Sequence, residues 1–107
     1  MIILFEDADI EELIITGTNK KYKRYAKNKR FVEDLREVYE TMRAVETASD
    51  LANFSFLHYE KLKFNYSGLS SVRISNQNVE RLIFREEEEG VTIVIIELDN
   101  THYGNKK

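Results

Sequence analysis

Ser70-Ser71-Val72-Arg73-Ile74-Ser75-Asn76-Gln77-Asn78-Val79-Glu80-Arg81-Leu82-Ile83-Phe84 is two strand-like runs around a polar turn, and its pairing decides both the sheet and the site. Val72 and Ile74 alternate with Ser71, Arg73 and Ser75, the period-two pattern of a strand with one buried face. If Ser75 pairs with Val79 across a three-residue loop, Arg73 falls directly opposite Arg81 on one face of a hairpin. Like charges so placed destabilise a sheet, and a fold tolerates them more readily where an anion such as an RNA phosphate sits between them. A two-residue turn at Asn76-Gln77 instead sets Arg73 against Glu80 as a surface ion pair of little consequence. The hairpin alone leaves both registers open.

Outward from the hairpin, Val91 to Leu98 is apolar almost throughout and reads as a central strand, with Gly90 marking the turn before it. The run Glu86-Glu87-Glu88-Glu89 reads as a solvated hairpin tip. Strands are expected near 57–64, 70–75, 80–86 and 91–98. Upstream, Phe31, Leu35, Val38, Met42 and Val45 step by four and three, which puts them on one stripe of a helix with Glu33, Glu37 and Glu40 turned outward. Residues 1–5 are apolar and suit a first strand. Asp9 with Glu12 has the form of a capping box for a short helix through Ile10, Leu13 and Ile14, and Gly17 suits its end. The order is strand, two helices and four strands, which predicts an α+β domain with a mainly antiparallel sheet and the helices packed on one face.

A chain of 107 residues supports one core, so residues 1–107 are read as a single domain. No apolar run is long enough to span a bilayer, and Met1-Ile2-Ile3-Leu4-Phe5-Glu6-Asp7 lacks the basic flank of a signal peptide, so a cytoplasmic protein is expected. With no cysteine and only two histidines, no metal and no cofactor are expected. The formal net charge is -3, yet seven of the sixteen Lys and Arg crowd into residues 20–30, where Lys20, Lys21, Lys23 and Arg24 interleave with Tyr22 and Tyr25. A surface so segregated can bind an anion locally despite the overall acidity.

The residues also carry a family pattern. Leu57-His58-Tyr59-Glu60-Lys61-Leu62 precedes a glycine-containing turn, followed by Gly68-Leu69-Ser70-Ser71-Val72-Arg73-Ile74, by Arg81-Leu82-Ile83-Phe84, and by Ile96-Glu97-Leu98 leading into His102-Tyr103. In order and spacing this resembles the RelE/ParE superfamily of bacterial toxins, in particular the HigB-like, plasmid maintenance killer branch. The resemblance implies a RelE-like β-α-α-β-β-β-β fold, a ribosome-dependent mRNA endonuclease, and neutralisation by a HigA-like helix-turn-helix antitoxin. Some branches target DNA gyrase instead. By position it makes Arg73 and Arg81 the phosphate-holding arginines and His102 with Tyr103 the terminal pair for proton transfer and stacking, with Lys61 and Lys63 the basic residues of the preceding strand. Thr101 is one residue more than the usual spacing before His102, so that histidine needs an irregular strand end to reach the site.

Metal-free RNA cleavage uses the substrate's own 2′-hydroxyl, and so needs a base, a proton donor and cations for the charge that develops on phosphorus. Arg73 and Arg81 suit charge stabilisation because a guanidinium offers planar, permanently charged donors. His102 suits the acid, Glu60 the base, and Tyr103 the stacking of a message base. Plainer readings stand beside these: a solvated tail for His102, a half-buried structural histidine at His58, and a simple cross-strand pair at Glu60 and Lys61.

Overall fold

The computed structural model describes residues 1–75 and 77–100. The chain opens on β1 (Ile2–Phe5), followed by α1 (Ala8–Thr16), a one-turn helix α2 (Lys23–Ala26) and α3 (Lys29–Ala44). Then come β2 (Glu60–Lys61), β3 (Ser70–Arg73), β4 (Arg81–Glu87) and β5 (Thr92–Asp99), with short 3-10 turns between them. The sheet order is β1-β5-β4-β3-β2. Only β1 runs parallel to its neighbour, pairing Ile3 with Ile93, and its connection to β5 is long enough to carry all three helices. β5, the most apolar run of the sequence, accordingly lies inside the sheet between β1 and β4.

α3 follows its sequence pattern as far as Met42; it ends at Ala44, and Val45, expected on the same stripe, is extended beyond it. Phe31, Leu35, Val38 and Met42 are buried, and Asn28 caps the helix by accepting the N–H of Phe31 at 3.1 Å. At the end of α1, Gly17 takes the left-handed conformation at φ 82° and returns its N–H to Leu13. The start of α1 differs from the expected box at Asp9 and Glu12: Asp7 is the cap, accepting the N–H of Asp9 at 2.8 Å. Asp9 and Glu12 instead accept both amide hydrogens of buried Asn19, at 2.9 and 2.7 Å. Their carboxylates thereby satisfy a side chain of the following loop rather than the helix end.

Ile10, Leu13 and Ile14 of α1 and the α3 stripe form one core with Val72, Ile74, Leu82, Phe84, Ile93, Ile95 and Leu98. Both long helices therefore pack on one face of the sheet. Alternation sends Ser71, Arg73, Arg81 and Ile83 to the other face. On β5 it is interrupted by a bulge: Phe84 pairs with Ile95 but Ile83 pairs with Glu97, which leaves Ile96 extra. The bulge lets Ile95 and Leu98, three residues apart, both reach the core, and turns Glu97 and Asp99 to the opposite face.

Four expectations fail between residues 55 and 90. The strand expected at 57–64 shrinks to Glu60–Lys61, because His58 (φ 48°) and Phe64 (φ 59°) are left-handed and break an extended run on both sides. His58 consequently lies exposed outside the sheet, and Lys63 falls outside the strand. The glutamates are not a uniform solvated tip, since Glu86 and Glu87 belong to β4 and Glu86 is half-buried. It accepts from the Tyr59 phenol, from Ser70 Oγ at 2.8 Å and from Lys61 Nζ at 3.2 Å.

Burial and the bond to Glu86 push the Tyr59 phenol up to about 12 from its ordinary 10.0. A raised folded value means that its stabilising contribution is intact below pH 10 and disappears as pH climbs through about 12. Thermal melts over that range should therefore show the melting temperature of the parent falling more steeply than that of Tyr59→Phe. Parallel curves would remove Tyr59 from the alkaline transition.

Candidate functional site

The open register is resolved in favour of the arginines. Arg73 pairs with Arg81, Val72 with Leu82 and Ser71 with Ile83, and the Ile74 N–H reaches the Glu80 carbonyl at 3.3 Å. Arg81 in turn pairs with Asp99 on β5. One row across three strands thus reads Arg73, Arg81, Asp99, all on the face away from the helices. The next row reads Glu60, Ser71, Ile83, Glu97.

Arg81 Nη1 donates to Ser71 Oγ at 3.2 Å and lies 3.9 Å from Glu60 Oε2, with its side chain 21% exposed. Arg73 Nη2 donates to the Asn78 carbonyl at 3.4 Å, while its buried Nε has no hydrogen-bond partner among the described residues. Asp99 is only 4% exposed. The two arginines are direct cross-strand neighbours, an arrangement of like charges that destabilises a sheet, and Asp99 places a carboxylate in register with them. Burial, and then the charge of Asp99, raise the proton affinity of Glu97. Burial, followed by Glu97 and Asp99, does the same for the Tyr66 phenol, so the turn bearing Tyr66 lies within the field of this face.

The structure brings together some of the residues singled out in the sequence and separates others. Arg73, Arg81 and Glu60 share one face. Lys61, alternating with Glu60, points to the helix side and is held by Glu86. Lys63 is exposed and leads into the 3-10 turn Phe64–Tyr66. His102 and Tyr103 lie outside the described residues. Lys20, Lys21, Lys23 and Arg24 occupy the connection between α1 and α3, where Lys21 Nζ pairs with Asp7 at 3.1 Å and the Tyr22 phenol donates to the same carboxylate at 2.9 Å. Arg24 lies 4.8 Å over the Tyr25 ring and donates to its hydroxyl, which donates to Glu80 at 3.0 Å. Glu80 precedes Arg81, so this chain of contacts docks the basic segment on the end of the β3–β4 hairpin that carries the arginines.

Sequence reasoning missed Asp99, Glu97 and Ser71. Ser71 was legible once the hairpin register was chosen, because it is the neighbour of Arg73 on the same face. Asp99 and Glu97 had no such signal, since their face is set by the bulge at Ile96. Among the described residues no group of three or more His, Asp or Glu could hold a metal ion, and no helix is long and apolar enough to cross a membrane.

No protein-family model and no curated protein matches the sequence. Solved structures do match. A YoeB/ParE toxin from Agrobacterium tumefaciens superposes with a TM-score of 0.55 over 94% of this chain and 99% of that one, at 16% identity. A chain of the YoeB–YefM complex from Staphylococcus aureus gives 0.55 at 22% identity, covering 94% and 97%. A YoeB dimer from the same organism gives 0.51 at 22% identity with the same coverage. These are YoeB structures, so the HigB-like branch expected from the sequence rests on motif order alone. Over nearly its whole length, the chain has the fold of the YoeB/ParE toxins.

Proposed function

We propose that this protein is the toxin of a type II toxin–antitoxin pair, a metal-independent endoribonuclease that cuts mRNA on the ribosome. The observation that carries the reading is the placement of Arg73 directly opposite Arg81 on the sheet face away from α1 and α3, with Ser71 and Glu60 beside them. Two arginines in cross-strand register on such a surface suit a phosphate that both side chains can turn to meet. In the proposed reaction Arg73 and Arg81 stabilise the charge on the phosphoryl oxygens, Glu60 takes the 2′-hydroxyl proton, His102 donates to the leaving 5′-oxygen and Tyr103 stacks a base. The Lys20–Arg24 segment extends the cationic path from the hairpin end. A cytoplasmic location and neutralisation by a cognate antitoxin belong to the same proposal, supported by the fold shared with the toxin of the YoeB–YefM complex.

The test is primer extension on a reporter message in a bacterial translation extract. Codon-phased cuts are the expected outcome; intact message at high protein concentration would overturn the reading. One observation favours a second possibility, a non-catalytic toxin acting on DNA gyrase: in the two rows that form the site, Glu60, Glu97 and Asp99 outnumber Arg73 and Arg81. DNA damage with intact messages after induction is the result that would select it.

A further inference from the structure

Phe64 is 88% exposed, against 39–59% for the other exposed large apolar residues, Ile2, Leu4, Ile15, Phe56 and Val91. It also stands in the left-handed region at φ 59°, where a side chain with a Cβ is strained. Exposure of a phenyl ring and a left-handed backbone are each unfavourable, and backbone strain of this kind collects at functional sites. The loop does not hold Phe64 loosely. Tyr66 N–H bonds to the Lys63 carbonyl, Ser67 N–H to Phe64, Leu69 N–H to Tyr66 and Leu62 N–H to Leu69, all at 2.9–3.1 Å. Buried Leu62 anchors the loop, and its other end continues into β3, the strand of Arg73.

The surroundings define what this ring meets. Exposed Lys63 precedes it, and the loop enters β3 at Ser70, three residues and so about 10 Å of extended strand from Arg73. An exposed aromatic on a tied-down loop beside a lysine, within a nucleotide or two of a pair of arginines, is the arrangement used to stack an unpaired base while cations hold its phosphate. We propose that Phe64 is the platform on which a base of single-stranded RNA stacks when the backbone is held at Arg73 and Arg81. The inference rests on the RNA-directed reading above and adds to it a second contact, specific to bases, on the loop between β2 and β3.

The test uses an uncleavable 2′-O-methyl oligoribonucleotide carrying 2-aminopurine, and inorganic polyphosphate as a polyanion without bases. Phe64→Ala should weaken oligonucleotide binding roughly 5- to 100-fold and abolish the quenching of 2-aminopurine, while Phe64→Trp retains both. Polyphosphate binding should be unchanged by either and weakened by Arg73→Ala. Phe64→Gly keeps the experiment readable, because relief of the left-handed strain should raise the melting temperature by roughly 2–6 °C even as oligonucleotide affinity falls. Oligonucleotide binding unchanged in Phe64→Ala but weakened in Arg73→Ala would overturn the platform and leave the arginine site standing. Failure of the parent to bind the oligonucleotide would overturn the platform, and binding unaffected by either substitution would remove both sites.

Discussion

Arg73→Ala should lower the rate of message cleavage by about 10²–10³-fold while the protein stays folded. The magnitude is that of removing one fixed donor aimed at developing charge, and Arg73 is preorganised for that role: it is half-buried on β3, opposite Arg81, and among the described residues the Asn78 carbonyl accepts from it at 3.4 Å. Loss of that bond costs little. Removing one of two facing like charges also relieves repulsion, so the melting temperature should hold or rise slightly. Initial rates in the translation extract together with a thermal melt would check both halves. Cleavage at the parental rate by a folded Arg73→Ala protein would take the phosphate role away from this arginine.

The second effect is on stability. Asp99→Asn leaves two arginines in one row without the carboxylate that is in register with them. Asp99 is 4% exposed, so water cannot substitute for it. Removing the opposite charge from a cross-strand pair costs up to about 1 kcal/mol. For a chain of this size that is a fall of roughly 4 °C in melting temperature. An added polyanion should restore more of the loss in Asp99→Asn than it adds to the parent, because it takes the place of the missing charge. A melting temperature within a degree of the parent would show that Asp99 does not balance the arginines.

Much of this arrangement was legible in the residues. The α3 stripe has enough turns for its period to be unambiguous, and Val91–Leu98 is too apolar to lie anywhere but inside the sheet. The hairpin was legible as a pair of alternatives, and what separates them is a turn residue or two that propensity does not weigh. Other features depend on groups distant in the chain. Two aspartates, Asp7 and Asp9, compete to cap α1, and buried Asn19, ten residues beyond Asp9, decides between them by claiming Asp9 and Glu12. The strand expected at 57–64 fails because His58 and Phe64 adopt a conformation that neither residue type advertises. Glu86 looks as solvated as its neighbours in the sequence because nothing local reveals Tyr59 and Ser70 as its donors.

The bulge at Ile96 has a bearing on how the protein can change. A chain lacking Ile96 would pair without interruption, Phe84 with Ile95 and Ile83 with Glu97, and would present the same side chains to the same sides. At Ile96 β5 therefore has one residue of slack. Loss of that codon is silent in architecture, so chains of this fold can differ in length just ahead of the site and still keep it, and a spacing rule counted from the sequence will misjudge them.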